Sequence, residues 1–429
     1  MRPSRLRPRA LILFLLSFAP ALRASDCSGL AQLSLPHVTV VTAAPVEAGD
    51  FTPPYGNTLH KLPPFCRFAG VLKPSADSYI RFEVWLPASG WNGKFLGAGN
   101  GGFAGAIDYG ALGRNITHGY ATAGTDTGHE ASTVDASWAY HHPEKVIDFG
   151  YRALHLTVAD AKIIIQNFYG RQPNHSYFDA CSDGGREALM EAQRFPEDFD
   201  GILAGAPANY WTHLLAGGLK AIVQMPHDPA AYLSATKIPT IQKAALAACD
   251  KSDGLKDGII SNPEKCRFDP SVLLCKGVED SACLTASEIE SLKQIYSGAH
   301  DKNGGLIFPG LLPGAEEGPI GWSRWVTGEG PGTGLGNGFA ENYFRYMVFE
   351  DPSWNPLTAG VDEAVHLADT KTAKALNAVD PDLSRFRARN GKLILYHGWN
   401  DPGISPWNTV NYFNTVEKRM GKDTVSGFV

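Results

Sequence analysis

The chain has 429 residues, of which 44% are hydrophobic, and a formal net charge of −6. This length excludes a single small domain and predicts either one large domain with an insertion or two domains. The negative charge argues against a nucleic-acid partner, because proteins that bind nucleic acids present a basic surface.

The N-terminus has the pattern of a secretory signal peptide. The basic segment "MRPSRLRPR" precedes the apolar run "ALILFLLSFAPAL", and small residues follow in "ALRAS". We expect cleavage after Ala24, so that residues 1–24 are a signal peptide; the alternative is an uncleaved anchor. Because the apolar run is shorter than a membrane-spanning helix, we expect a secreted or periplasmic protein with no membrane association after signal removal.

From Tyr79 the chain alternates between strand and helix patterns. "YIRFEVWLP", "GKFLGAG" and "YATAGTDTG" are typical of strands, and Lys145 to Tyr169 carries apolar residues at helical spacing. A strand in "SYFDA", a helix to about Phe195 and a strand in "FDGILAGAPA" follow. Strands that alternate with helices indicate an α/β protein with a mostly parallel sheet.

The alternating pattern breaks after about Asn209. Residues 210–389 are rich in Gly, Pro and Asp, with glycine-rich loops such as "GEGPGTGLGNG". The apolar strand in "GKLILYHGWND" then resumes the first pattern. We therefore predict an α/β core in two parts, residues 25–209 and 390–429, with an inserted lid domain at 210–389.

Seven cysteines occur in the chain, and an exported protein can oxidise them to disulfides. Cys249 with Cys266, and Cys275 with Cys283, are close in sequence and able to close short loops. A bond between Cys27 and Cys66 would tie down the N-terminal segment. This pairing leaves Cys181 without a partner, but six cysteines allow fifteen pairings, so spacing alone leaves the alternatives open.

The stretch "DACSDGGRE", Asp179 to Glu187, indicates a nucleophile on a sharp strand-to-helix turn. Such an elbow needs small residues around the serine, here Ala180, Gly184 and Gly185, with Ala180 standing where the usual motif has glycine. Ser182 is the candidate nucleophile. Two alternatives are an N-cap serine with no catalytic role and Cys181 as the nucleophile; the elbow geometry favours an outward position 182.

A nucleophilic serine also needs donors for the oxyanion that forms during attack. The backbone N–H of Asp183, at the start of the following helix, is one expected donor. A second donor is expected from an earlier glycine-rich strand end, and "GAGNGGFAG", Gly97 to Gly105, has that composition. Within it we predict Gly101 as the donor, with Gly102 next.

Asp401 ends the segment "LILYHGWND", directly after the strand that resumes the core. In α/β-hydrolases the triad acid lies on a loop after a late strand, in the order Ser, Asp, His, and orients the histidine. The alternative is an ordinary turn aspartate before Pro402.

The segment "CDKSDGLKDGII" has three aspartates, at 250, 253 and 257, and two glycines. Ca²⁺ takes carboxylate and backbone carbonyl oxygens, so this spacing indicates a cation-binding loop that is not an EF-hand. The alternative is an acidic surface turn.

Together the motifs resemble the tannase/feruloyl esterase family of secreted serine esterases. The resemblance runs from about Cys27 to about Phe413 and is carried by "GNGGFAG", "ATAGTDTGH", "PEKVIDFGYRALH", "CSDGGREALMEAQRFPEDFDGILAGAPANYW", "CDKSDGLKDGIISNPEKC", "FRYMVFEDPSWN" and "YHGWNDPGISP". It implies an α/β-hydrolase core with a lid, and a small-molecule ester of an aromatic (phenolic) acid, such as a feruloyl or galloyl ester, as substrate.

The resemblance also implies roles for individual residues. Ser182 would be the nucleophile and Asp401 the triad acid. Ca²⁺ in the lid would be held by the side chains of Asp250, Asp253 and Asp257 and the carbonyls of Leu255 and Ile259. The family's disulfides map onto Cys27–Cys66, Cys249–Cys266 and Cys275–Cys283.

The C-terminal part departs from the family pattern. The family's catalytic histidine follows the triad acid in a motif ending Gly-x-x-His-Cys, whose cysteine pairs with the one before the nucleophile, here Cys181. No histidine or cysteine follows Asp401 in this sequence. We therefore expect a truncated, inactive form that lacks the final core strand and last helix; the alternative is a homologue that binds phenolic ligands without catalysis. His397 lies on the strand before Asp401 and is not expected to replace the base.

Overall fold

The computed structural model describes residues 26–224, 229–314, 316–318, 320–358 and 360–429. The expected signal peptide, residues 1–24, lies outside them. None of the helices in this described part combines the length and apolar character needed to cross a lipid bilayer.

The described ranges contain twelve strands and fourteen α-helices. The strands are β1 (Val38–Val46), β2 (Gly49–Phe51), β3 (Leu59–Leu62), β4 (Phe65–Leu72), β5 (Ile80–Pro87), β6 (Lys94–Ala98), β7 (Ala121–Thr125), β8 (His175–Cys181), β9 (Gly201–Gly205), β10 (Ala299–His300), β11 (Leu306–Phe308) and β12 (Lys392–Tyr396). The helices are α1 (Tyr109–Thr117), α2 (Pro143–Ile147), α3 (Ala153–Tyr169), α4 (Asp183–Arg194), α5 (Trp211–Gln224), α6 (Ile238–Cys249), α7 (Ala286–Ser297), α8 (Trp322–Trp325), α9 (Leu335–Tyr343), α10 (Val361–Lys371), α11 (Ala373–Leu376), α12 (Ser384–Ala388), α13 (Pro406–Met420) and α14 (Lys422–Val425).

Eight strands form one twisted sheet in the order β1-β4-β5-β7-β6-β8-β9-β12. β7, β6, β8, β9 and β12 run parallel, whereas β1, β4 and β5 join antiparallel at one side. The predicted α/β class with a mostly parallel sheet is confirmed. β7 and β9 are buried along almost their whole length, which explains why they appear in the sequence as short apolar runs, whereas β8 alternates between buried and exposed residues.

The strand and helix predictions from Tyr79 onwards correspond to observed elements, with one difference. The helix predicted from Lys145 to Tyr169 consists of α2, a π-helical turn at Asp148–Arg152 and α3. Gly150 lies in that turn, and a Cβ there would stand 2.4 Å from the Ala375 carbonyl oxygen. The close approach of this backbone explains why glycine occupies the irregular turn.

The segment between β9 and β12 contains α5 to α12 and the small β10–β11 sheet, which lies outside the main sheet. Its apolar residues contribute to a second core cluster that also includes Phe103 and Phe149 from the α/β part. Leu383 and Phe386, near the C-terminal end of the segment, pack instead into the cluster around the main sheet.

The three disulfides expected from spacing and resemblance are present: Cys27–Cys66, Cys249–Cys266 and Cys275–Cys283. The first ties the segment before β1 to β4, and the other two lie between β9 and β12. Cys181 is a free, exposed cysteine.

Candidate active site

Ser182 occupies the turn between β8 and α4 with φ 66° and ψ −121°. A non-glycine residue rarely adopts a positive φ, and such strain concentrates at functional positions. The serine side chain makes no capping hydrogen bond to α4, so the N-cap interpretation has no support. This backbone conformation is the one expected of a nucleophile elbow, which would direct the hydroxyl outward from the end of the sheet.

The glycines around Ser182 are required by close backbone contacts. A Cβ at Gly184 would lie 2.5 Å from the Ala180 Cβ, and a Cβ at Gly185 would lie 2.3 Å from the Gly205 carbonyl oxygen. Gly99, at the end of β6, would place a Cβ 2.6 Å from the same Ala180 Cβ. Ala180 is therefore tolerated in place of the usual glycine because both of its neighbours lack a side chain.

Asp183 begins α4, so its amide is one of the first-turn N–H groups with no carbonyl partner in the preceding helical turn. Its side chain is buried and pairs with Arg186, with Arg186 Nε 2.6 Å from Asp183 Oδ1. Arg186 also donates to the carbonyls of Phe149 and Gly150. The first turn of the helix is thus held rigidly below the serine.

The second predicted donor lies in the turn that follows β6. Ala104 N–H donates to the Gly101 carbonyl at 3.0 Å, which closes this turn. Gly102 has φ +60° and a Cβ there would lie 2.4 Å from the Thr133 carbonyl oxygen, whereas a Cβ at Gly101 would meet nothing within 4 Å. The neighbouring backbone therefore requires glycine at position 102, whereas a side chain at position 101 would point into open space.

A cavity of about 390 Å³ joins these elements. Gly101, Gly102, Ser182 and Asp183 line it from the α/β part, together with Gly403 and Ile404 from the loop after β12. Three aromatic side chains also line it, Trp211, Trp325 and Phe339. Trp325 and Phe339 stack at 5.9 Å between ring centroids. The cavity is therefore a mostly apolar cleft with a nucleophile candidate and backbone donors at one end.

Asp401 lies in the loop after β12 and is held by backbone and side-chain groups. Its Oδ1 accepts hydrogen bonds from the amides of Gly403 at 2.8 Å and Ile404 at 2.9 Å, and its Oδ2 lies 3.3 Å from His397 Nε2. Burial disfavours the charged form, but the hydrogen bonds from His397 and the two amides outweigh it and hold the Asp401 pKa below its ordinary value. Asp401 is thus a fixed, ionised carboxylate beside the cavity rim.

His397 does not face the cavity that contains Ser182. Its Nδ1 lies 2.7 Å from Thr409 Oγ1 and its Nε2 lies 3.0 Å from the Ile404 carbonyl, so both ring nitrogens have partners. The side chain borders a different groove, between β12 and α13. No histidine among the described residues lines the Ser182 cavity.

Cys181 precedes the serine and was the alternative nucleophile. The residue as a whole is exposed, but neighbouring atoms partly shield its thiol from water. This desolvation and the nearby charge of Asp401 raise the pKa of the thiol. Only the thiolate attacks efficiently, so this environment disfavours Cys181 as the nucleophile. The effect of Asp401 on Cys181 also means that the carboxylate lies near the elbow.

The predicted cation loop has its acidic side chains turned toward its own backbone. Asp250 is buried and its Oδ1 accepts from the amides of Asp257 and Gly258, each at 3.2 Å. Asp253 accepts from Leu255 N–H and Asp257 from Ile259 N–H. In the part of the chain that the structure describes, these three carboxylates do not converge within 4.8 Å, but the donor set is all oxygen, as Ca²⁺ prefers.

Sequence reasoning missed one buried cluster of metal-ligating residue types. His155, Glu191 and Asp198 bring one ligand atom each within 4.8 Å of the others. His155 Nδ1 lies 2.6 Å from Asp198 Oδ2, and Lys162 donates to the Asp198 carbonyl. Burial and the neighbouring Asp198 raise the Glu191 pKa well above its ordinary value. Among the described residues neither Glu191 carboxyl oxygen has a hydrogen-bond partner. The three residues are too far apart in sequence for spacing to reveal the cluster.

A parallel sheet with a strained serine at the end of its central strand defines the chain as an α/β-hydrolase with a large insertion between β9 and β12. A family model described as tannase and feruloyl esterase matches residues 66–429. The chain is 44% identical over 433 residues to an uncharacterised esterase of Xanthomonas campestris pv. campestris, covering 97% of this chain and 74% of that protein. It is 33% identical to a probable feruloyl esterase B-1 of Aspergillus oryzae, covering 83% of this chain and 64% of that protein.

Solved structures agree with these sequence matches. Feruloyl esterase B from Aspergillus oryzae superposes with a TM-score of 0.85 at 31% identity, over 92% of this chain and 78% of that one. Tannin acyl hydrolase from Aspergillus niger gives a TM-score of 0.71 at 23% identity, over 90% and 75%, and supports the fold alone. The chain belongs to the tannase and feruloyl esterase family, a family of carboxylic ester hydrolases.

Proposed function

We propose that this protein is a secreted serine esterase that hydrolyses esters of aromatic (phenolic) acids, such as feruloyl or galloyl esters, through an acyl-enzyme on Ser182. The observation that carries the proposal is the strained serine at the end of β8, which opens into a cavity walled by aromatic side chains. Family membership supports ester hydrolysis, and the named relatives include a probable feruloyl esterase B-1 and feruloyl esterase B of Aspergillus oryzae.

In the proposed reaction, Ser182 Oγ attacks the ester carbonyl carbon and loses its proton to a histidine. The amides of Asp183 and Gly101 stabilise the oxyanion of the tetrahedral intermediate. The histidine then protonates the leaving alcohol, which leaves an acyl group on Ser182, and water hydrolyses that acyl-enzyme to the free acid. Asp401, held ionised by its hydrogen bonds, would orient the histidine. The family resemblance implies that this histidine follows Asp401 in a Gly-x-x-His-Cys motif.

The aromatic side chains that line the cavity support a preference for aromatic acyl groups. Trp211 is buried, and Trp325 and Phe339 come from the inserted segment, so substrate would be enclosed between the α/β part and the lid. Flat aromatic side chains bind planar rings through stacking and edge-to-face contacts. A feruloyl or galloyl ring fits this environment better than a flexible alkyl chain does.

We also propose that the Asp250–Ile259 loop binds Ca²⁺ as a structural ion. Asp253 and Asp257 would contribute side chains and Leu255 and Ile259 carbonyl oxygens, with Asp250 as the third carboxylate. Gly254 and Gly258 both have positive φ, which curls the loop, and the Cys249–Cys266 disulfide closes its two ends. Bound Ca²⁺ would fix this part of the lid and would take no part in the chemistry at Ser182.

Export is proposed from two observations. The first residues have the composition of a signal peptide, and three disulfides occur in the described part of the chain. Both fit a protein that folds in an oxidising compartment.

A second candidate function is binding of phenolic ligands without turnover. It is favoured by one observation, that none of the described residues lining the Ser182 cavity is a histidine. A serine without its base loses nearly all of the rate enhancement of a triad.

Hydrolysis of methyl ferulate distinguishes the two functions. We would measure it with the 429-residue chain, with the chain extended by a segment that carries the Gly-x-x-His-Cys motif, and with the Ser182→Ala variant of each. The esterase proposal expects turnover in the histidine-containing form and a loss of about 10⁴-fold or more in its Ser182→Ala variant. Equal turnover with and without Ser182 would contradict it, and ferulate binding without turnover in both forms would favour the binding function.

A further inference from the structure

Asn100 connects the turn of the second oxyanion donor to the helix of the first. Its backbone N–H donates to Glu187 Oε2 at 2.9 Å, and its carbonyl accepts from Gly184 N–H at 2.9 Å. Its side-chain Nδ2 donates to the carbonyls of Thr125 at 2.9 Å and Ala106 at 3.0 Å. Asn100 is therefore held from α4, from the end of β7 and from its own turn.

These bonds restrict the peptide group that carries the Gly101 N–H. The Asn100 carbonyl and the Gly101 amide belong to one planar unit, in which the two groups point in opposite directions. Because Gly184 fixes the carbonyl, it also fixes the plane of the Gly101 amide. Glu187 fixes the preceding peptide through the Asn100 N–H. Two residues of α4 thus determine how the Gly101 donor is oriented relative to Ser182, which directly precedes the same helix.

The residues around Glu187 leave space for its buried carboxyl group. The side chain is buried, and a Cβ at Gly99 would lie 2.8 Å from Glu187 Oε2. The end of β6 therefore has to lack a side chain for the carboxyl to reach the Asn100 amide. Within the described residues Glu187 Oε1 has no hydrogen-bond partner, so the Asn100 contact is the polar contact that this buried group makes.

We propose that Glu187 is a positioning residue that acts through Asn100 to hold the Gly101 amide as the second oxyanion donor. This inference rests on the proposed esterase function and deepens it. Glu187 does not touch substrate; it keeps the donor in place before the oxyanion forms. Preorganised donors account for a large part of the stabilisation of such transition states, so loss of this support affects kcat more than KM.

The charge state of Glu187 gives this role a pH signature. Burial, and then the charge of Asp183, raise the Glu187 pKa to about 8, against the opposing effects of Arg186 and the Asn100 amide. The charged or titratable groups near the Glu187 carboxyl on α4 are Asp183, Arg186 and Glu191. From the turn after β6, the backbone N–H of Asn100, which carries no charge, donates to the same carboxyl. Below that pKa Glu187 is neutral. Above it, a buried negative charge next to the donor turn would oppose the developing oxyanion, so kcat would fall.

The test uses the form of the enzyme that hydrolyses methyl ferulate, with the variants Glu187→Ala, Glu187→Gln and Glu191→Gln. Glu187→Ala removes the acceptor and is expected to lower kcat about 10- to 100-fold, with KM changed less than about threefold. Glu187→Gln keeps an acceptor oxygen and is expected to restore most of kcat and to remove the decline of kcat above pH 8. Glu191→Gln is the matched control, since Glu191 is equally buried on α4 and is not among the hydrogen-bond partners of Asn100 in the described residues.

The variants test the charge of Glu187 and its positioning role separately. A Glu187→Gln enzyme that shows the same alkaline decline as the unsubstituted enzyme overturns the role of the Glu187 charge, even if Glu187→Ala fails to fold. Unchanged kcat in folded Glu187→Ala, or an equal change in Glu191→Gln, overturns the positioning role. Both results differ from failure of the proposed function, which is signalled by turnover that survives Ser182→Ala.

Discussion

At the scale of single residues, Ser182 is held in a backbone conformation that is unfavourable for any residue other than glycine. Its φ of 66° is compensated by the contacts around it, where Gly184, Gly185 and Gly99 leave no room for a side chain. The sequence predicted the elbow from "DACSDGGRE" because small residues flank the serine. It did not predict the role of Gly99, because Gly99 meets Ala180 only after β6 and β8 pair in the sheet.

Gly185→Ala is predicted to destabilise the protein. The new Cβ would lie 2.3 Å from the Gly205 carbonyl oxygen and 2.8 Å from Pro207 Cα, and neither backbone atom can move easily. We expect the free energy of unfolding to fall by about 1–3 kcal/mol or more, measured by urea denaturation. Gly101→Ala is the stability control, since a Cβ there meets nothing within 4 Å. Equal stability of the two variants would contradict the account of the elbow.

At the scale of helices and strands, the parallel part of the sheet was predictable, whereas in the antiparallel part only β5 was predicted, from "YIRFEVWLP". β6 and β9 are short runs of apolar and small residues bounded by turn residues, and β8 alternates between buried and exposed positions; both patterns are visible in the sequence. β1 has intermediate or exposed residues throughout, and no strand was predicted before Tyr79. Its place in the sheet depends on pairing with β4, which is a long-range contact that local patterns do not encode.

Ca²⁺ binding by the proposed cation loop can be measured directly through its effect on thermal stability. Removal of Ca²⁺ with EDTA is expected to lower the Tm by a few degrees, because an ion that binds only the folded state stabilises it. Asp253→Asn combined with Asp257→Asn should abolish this shift, since both carboxylates are exposed on the loop.

Asp269→Asn is the matched control for the loop variants. Asp269 is an exposed aspartate that accepts from the amide two residues later, as Asp253 does, but it lies outside the loop. The control should keep the full Ca²⁺-dependent Tm shift. A shift that is absent in the unsubstituted protein, or lost equally in Asp269→Asn, would contradict a calcium site in this loop.

At the scale of the whole molecule, the cavity is formed between parts of the chain that are distant in sequence. Ser182 and the Gly101 turn come from the α/β part, Trp325 and Phe339 from the insertion, and Gly403 from the loop after β12. The sequence predicted an insertion between the two parts of the core. It did not indicate which of its aromatic residues face the serine, because that depends on how the second core cluster packs.

Trp325→Ala and Phe339→Ala are predicted to weaken binding of aromatic acyl groups. Each removes a ring that lines the cavity, and an aromatic contact contributes about 0.5–1.5 kcal/mol beyond its buried area. We expect KM for methyl ferulate to rise about tenfold, with a much smaller change for an acetate ester. Trp91→Ala is the control, because Trp91 stacks on Tyr169 away from the cavity. Equal effects on both esters would contradict an aromatic acyl site.

The central claim is that Ser182, and not the adjacent Cys181, becomes acylated. The decisive measurement is tandem mass spectrometry of the peptide containing Asp179–Glu187 after reaction of the histidine-containing form with an aryl phosphonate ester, which mimics the tetrahedral intermediate. Labelling of Ser182 that persists in Cys181→Ser and disappears in Ser182→Ala is predicted, because the backbone conformation at Ser182 directs its hydroxyl outward. Labelling of Cys181, or of neither residue while methyl ferulate is still hydrolysed, would contradict the account.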